Sequence, residues 1–180
     1  NVIRRMDIII RSMLSDSIEL DVANADSVVG RDKEVNRLSL LGFRTAKAAT
    51  DNPRLLKLFN TTYWNVLIAK QVITYLERFA DQIKRIIRTA KDEKIDKKER
   101  NDLLKLIKSV NDNYIMVMKI FYEKKKQEAF KAETTTRALL KDCDTILRKY
   151  PKVSIVRFIE YFQHTIGSMK GILRTVMEYE

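Results

Sequence analysis

Histidine, cysteine and tryptophan occur once each in this 180-residue chain, proline twice and glycine four times. With Cys143 the only cysteine, an internal disulfide is excluded, and with His164 the only histidine no Cys/His cluster can form a structural zinc site. The expected setting is therefore a reducing one, the cytoplasm. So little Gly and Pro leaves too few turn points for a sandwich or barrel, whose strands recur every roughly 8–12 residues. No apolar run reaches the roughly 18–20 residues of a membrane-crossing helix, so membrane insertion is not expected, and the start lacks a signal-peptide core. The chain also lacks a Gly-rich phosphate loop, a nucleophile elbow and a Ser/His/Asp signature, and it is not expected to be an enzyme.

What is present is apolar periodicity. With 45% hydrophobic residues the chain can bury a sizeable core. The period is that of α-helices throughout, and the expected class is all-α. A first helix is expected from about residue 2 to 20, ending near "LDVANAD" with Asp21 as cap of the next. The apolar set Val2, Ile3, Met6, Ile9 and Met13 is already under way at Asn1, so the expectation is a fragment or a chain lacking a disordered or removed leader, with a missing upstream domain as one reading. The second helix carries Val28, Val35, Leu38, Ala46 and Ala49 on one face and stops at "TDNPR", where Asn52 caps and Pro53 opens a third. That third helix, about 53 to 90, buries Ile68, Ala69, Val72, Ile73, Leu76, Ala80, Ile83 and Ile87.

The charged "KDEKIDKKER" interrupts the pattern, and Asp96 with Glu99 has capping-box spacing. A fourth helix through Leu103, Leu106, Ile107, Val110, Tyr114, Met118 and Phe121 follows. A fifth spans about 127 to 149, up to "KYPKVS", and a sixth about 152 to 180 carries Val156, Ile159, Phe162 or Gln163, Ile166, Met169, Ile172, Leu173 and Val176. Sliding the chain by about 100 residues sets Met6, Ile9 and Met13 against Ile107, Val110 and Tyr114, Asp32 against Glu133, Leu38 against Leu139, and Pro53 near Pro151. The expected architecture is two tandem antiparallel three-helix bundles of six long helices, residues 1–92 and a more degenerate 96–180.

Within the third helix, "TYLERFADQ" (74–82) places Glu77 and Asp81 one turn apart, where like charges repel by roughly 0.2–0.5 kcal/mol. "SVVGRDKEVNRL" (27–38) followed by "LIAKQVITYLERFADQIKRII" (67–87) resembles the first half of PhoU-type proteins, the regulators of phosphate uptake. The resemblance implies two three-helix bundles whose helices carry acid-x-x-x-Asp motifs that hold metal ions. Glu77 and Asp81 fit one motif in full; Asp32 with Asn36 fits its partner in part, because Asn36 stands where the family has Asp. In the second half Glu133 stands opposite Asp32, Arg137 replaces the second acid, and Glu178 answers to Glu77 just before the chain ends. A different register would use Glu160 and His164 of "FIEYFQH" but needs a shorter preceding segment. The candidate metal ligands are therefore Asp32, Asn36, Glu77 and Asp81, and more weakly Glu133 and Glu178, for a divalent or trivalent ion such as iron, zinc or magnesium. Without the resemblance, Arg85 one turn beyond Asp81 reads as its ion-pair partner on a solvated surface.

The resemblance implies a regulator of phosphate homeostasis that contacts a phosphate transporter, signalling kinase or transcription partner, forms a homodimer, and binds DNA through an upstream domain in some relatives. Independently, 35 Lys and Arg against 24 Asp and Glu give a net charge of +11, which opens an alternative: a basic helical module for nucleic acid or an acidic protein partner. A carboxylate-bridged di-iron site needs Glu-x-x-His pairs, and His164 follows Glu160 by four. Cys143 in "LKDCDTIL" reads as a buried thiol. Tyr63 and Trp64 in "NTTYWNVL" read first as packing between helices and second as an anchor for a base or a partner.

Overall fold

Three helix starts in this protein are satisfied by a local polar side chain, at Asn52, Thr62 and the Asp96/Glu99 pair. The computed structural model describes residues 2–18 and 25–178. They form α1 (Val2–Ser17), α2 (Ala25–Asp51), α3 (Pro53–Leu58), α4 (Tyr63–Asp92), α5 (Lys97–Glu123), α6 (Lys126–Lys149) and α7 (Val153–Met177). No strand occurs among the described residues, as the all-α reading requires. The expected Asp21 cap lies outside them.

The Asn52 side chain accepts from the Arg54 amide at 3.1 Å, with Pro53 at the first helical position where its missing N–H costs nothing. Glu99 reaches back to the Asp96 amide at 2.9 Å and closes the capping box that opens α5. The poorly marked junction between α5 and α6 is a left-handed Lys124, whose amide returns to the last turn of α5.

The single helix expected over 53–90 is two. Phe59 ends α3, Asn60 takes a left-handed φ of 46°, and the Thr62 hydroxyl caps α4 by accepting from the Asn65 amide at 3.1 Å. Asparagine tolerates this conformation and threonine is a strong cap, so "NTT" held the stop-and-start signal. The break leaves α3 with no buried residue, and Tyr63 and Trp64 are 52% and 47% exposed at the head of α4. They do not pack between helices. Val156 is likewise on the surface, and Ala46 is only partly buried; the other residues expected in the core from residue 103 on are buried.

Helices α1, α2 and α4 pack on one another, and so do α5, α6 and α7. The most extensive pairing of all is between the two sets, α4 against α7, with a smaller contact of α1 on α5. One continuous hydrophobic cluster runs through every long helix. At the α1–α5 contact the buried Asp7 carboxylate accepts from the Tyr114 hydroxyl at 3.1 Å, the Tyr122 hydroxyl at 3.0 Å and Arg11 Nε at 2.9 Å. Burial first, then the Asp7 charge, pushes both phenols up, so they stay protonated as donors. Phe79 of α4 packs on Tyr114, ring centres 4.6 Å apart.

On α7, Gly171 lies directly under the Tyr75 ring with no room for a Cβ, whereas Gly167, one turn earlier, has open space around it. Two substitutions on one helix should therefore move in opposite directions in urea denaturation. Gly167→Ala is expected to stabilise by up to about 1 kcal/mol, the helix-propensity difference. Gly171→Ala should destabilise by about 1–3 kcal/mol through overpacking, and Tyr75→Ala in the same chain should recover part of that loss.

Candidate functional site

The acids of α4 project from its α2-facing edge because positions 77, 81 and 84 repeat at helical spacing. Asp32, on the buried face of α2, stands across from them. Between the two helices sits the ammonium of Lys84, which donates to Asp32 Oδ2 at 2.8 Å and to Asp81 Oδ1 at 2.6 Å. The other Asp81 oxygen accepts from Arg85 Nε at 2.8 Å and weakly from Gln82 at 3.4 Å. Asn36 Nδ2 lies 3.4 Å from Asp32 Oδ2. The Asp32 and Lys84 side chains are only 5% and 15% exposed, so this is an ion pair largely withdrawn from water.

Burial of Lys84 by itself favours the neutral amine, but its hydrogen bonds to Asp32 and Asp81 outweigh that, and its pKa is raised above the ordinary 10.5. Among the described residues Glu77 has no salt-bridge partner of this kind. Burial first, then the charges of Asp81 and Asp32, push its carboxyl above the ordinary range. Two further acceptors in this cleft, Asp32 Oδ1 and Asn36 Oδ1, are buried and find no hydrogen-bond partner among the described residues.

Asp32, Asn36 and Asp81 are thus brought together, with Glu77 within electrostatic reach, as the motif spacing implies. Their oxygens are of the kind that hard cations take. The position between Asp32 and Asp81, however, is filled by a lysine ammonium, and among the described residues no group of three or more His, Cys, Asp or Glu side chains is placed to hold a metal. The cleft does not fit a resident metal ion. Lys84 is the residue that sequence reasoning missed: Arg85 was the visible partner at i+4, whereas Lys84 at i+3 matters because it also reaches across to α2.

The second-half residues are not brought together in this way. Glu133 accepts from Arg137 at 2.8 Å, with Lys170 at 3.7 Å, and the Arg137 hydrogen bond holds its carboxyl below the usual range. Glu178 caps the end of α7, eight residues past Lys170, about 12 Å along the axis at helical rise. Among the described residues no metal-holding group forms there. Glu160 and His164, the residues of the other register, are both exposed. Cys143 is buried, and burial, then Asp142 and Asp144, push its thiol up to about 12, so it is inert at neutral pH.

Lys84→Met should cost about 3 kcal/mol in urea denaturation, because it strands the Asp32 carboxylate in the interior, whereas Arg85→Met should cost less than about 1 kcal/mol. The Lys84 contribution is fully present below pH 10.5 and is lost as pH rises through its higher folded value. Glu77 works in the opposite sense. Its folded form holds a proton more readily than the unfolded chain, so the ionised group subtracts stability at neutral pH and stops doing so as pH falls. Glu77→Gln should stabilise by about 0.2–0.5 kcal/mol at neutral pH, a gain that disappears below the ordinary carboxylate range.

With this geometry in place, comparison with known proteins gives one result: residues 3–90 match the model of the PhoU domain. No curated protein and no solved structure matches the chain.

Proposed function

We propose that this chain, which belongs to the PhoU family, regulates phosphate uptake by binding other proteins. The match of residues 3–90 to the PhoU domain carries the reading, since that family is one of phosphate-homeostasis regulators. The two mutually packed helix sets, α1/α2/α4 and α5/α6/α7, support a description as two PhoU-like repeats, the second having drifted furthest from the motif. The protein works in the cytoplasm against a phosphate transporter or a phosphate-sensing kinase, as a homodimer.

A regulator that acts by contact needs an accessible surface with anchoring side chains. The α3–α4 corner supports this role: Leu58, Phe59, Tyr63 and Trp64 are all exposed within seven residues, with Arg54 and Lys57 beside them. Aromatic and arginine side chains dominate binding energy at protein interfaces, where they bury large areas at low entropic cost.

In cells that depend on this chain for phosphate control, its deletion should raise phosphate uptake under replete conditions, and the intact chain should reverse the effect. A Phe59→Ala/Trp64→Ala chain should accumulate normally, since neither residue is buried, yet fail to restore control. Unchanged uptake on deletion would remove the phosphate-regulator reading. Full restoration by the double variant would remove only the assignment of the corner as the contact surface.

A further inference from the structure

The cleft between α2 and α4 has the acceptors of a cation site and a cation of its own. We propose that Lys84 is a tethered replacement for the metal ion, holding Asp32 of α2 and Asp81 of α4 together through its ammonium.

Three observations carry this. The ammonium bridges carboxylates from two helices, 2.8 Å from Asp32 and 2.6 Å from Asp81, which is the bridging task of an ion between two acid motifs. The Lys84 side chain is largely buried, unlike the neighbouring Arg85, so it is not a surface lysine that happens to lie nearby. The cleft also contains more acceptors than the ammonium engages, since Asp32 Oδ1 and Asn36 Oδ1 are buried and unpartnered among the described residues. An oxygen-rich cleft built around a single positive charge is the donor set of a hard divalent ion, with the charge supplied from within.

The charge balance agrees with this substitution. Where the family motif has two full acid pairs, this chain has Asn36 in place of one acid. Removing one negative charge from the cleft suits a monovalent ammonium better than a divalent ion.

The test is Mn2+ binding followed by electron paramagnetic resonance and by thermal denaturation, on the whole chain and on Lys84→Ala and Lys84→Gln. The whole chain should show no stoichiometric Mn2+ site and no shift of the melting temperature with millimolar-range Mn2+. Lys84→Ala should bind one Mn2+ at least about tenfold more tightly than the whole chain, with a matching upward melting shift, and Asp32→Asn in that background should abolish both. Lys84→Gln, which removes the charge and leaves a shorter, neutral polar side chain, serves if the alanine variant folds in neither the presence nor the absence of Mn2+, and the same gain is expected of it. A Mn2+ site in the whole chain that disappears in Asp81→Asn overturns the proposal, because the metal then displaces the ammonium. Folded lysine variants without a gain in Mn2+ binding overturn it too, since the cleft is then no cation site. Neither outcome touches the phosphate-regulator reading, which is tested by uptake.

Discussion

Helix α4 is buried along two faces at once, and most of the molecule is arranged by that constraint. One face lies on α1 and α2, and the other lies on α7 in the most extensive helix pairing of the structure. A helix so enclosed can be polar only along narrow edges. Glu77, Asp81 and Lys84 occupy the edge toward α2, and Arg78 and Gln82 that toward α7, where they line a groove with His164 and Ser168. The close seating of α7 in turn depends on a residue without a side chain, Gly171, beneath Tyr75. Because interiors are packed as densely as organic crystals, a shift at that point reaches the whole length of the helix.

The fold was largely legible because its signals are periodic or are local caps. The apolar stripe of α4 and the caps at Asn52 and Asp96 each depend on residues a few positions apart, so pattern reading finds them. The break at Asn60 was less visible, since Asn and two Thr do not exclude a helix as proline does. Without it, Tyr63 and Trp64 fall in helical register with Leu67 and Ile68, a spacing that points to packing. Once Thr62 restarts the helix, they lie in the first turn, at the end of the bundle.

The cleft was legible only in part, for a different reason. Motif spacing places Glu77 and Asp81 on one edge of a helix and Asp32 on another, but which charge fills the gap depends on how the two helices align. Lys84 lies 52 residues from Asp32 in sequence, so no local rule connects them. The same limit hid Asp7, whose three donors come from α1 itself and from a helix more than 100 residues away. Buried polar groups of this kind specify how helices dock, and their partners are fixed by tertiary structure rather than by sequence neighbours.

A positive charge carried on a four-carbon stem is held at a fixed local concentration, and it cannot be diluted, chelated or outcompeted in the way a diffusing ion can. A site occupied from solution follows mass action, so that part of a protein's stability rises and falls with the supply of the ion. The α2–α4 edge, with Lys84 hydrogen-bonded to both helices, draws its bridging charge from the chain itself at every pH where the amine stays protonated. On the proposed role of Lys84, the edge carries no report of ion supply, and the pairing of the two helices is a constant of the fold.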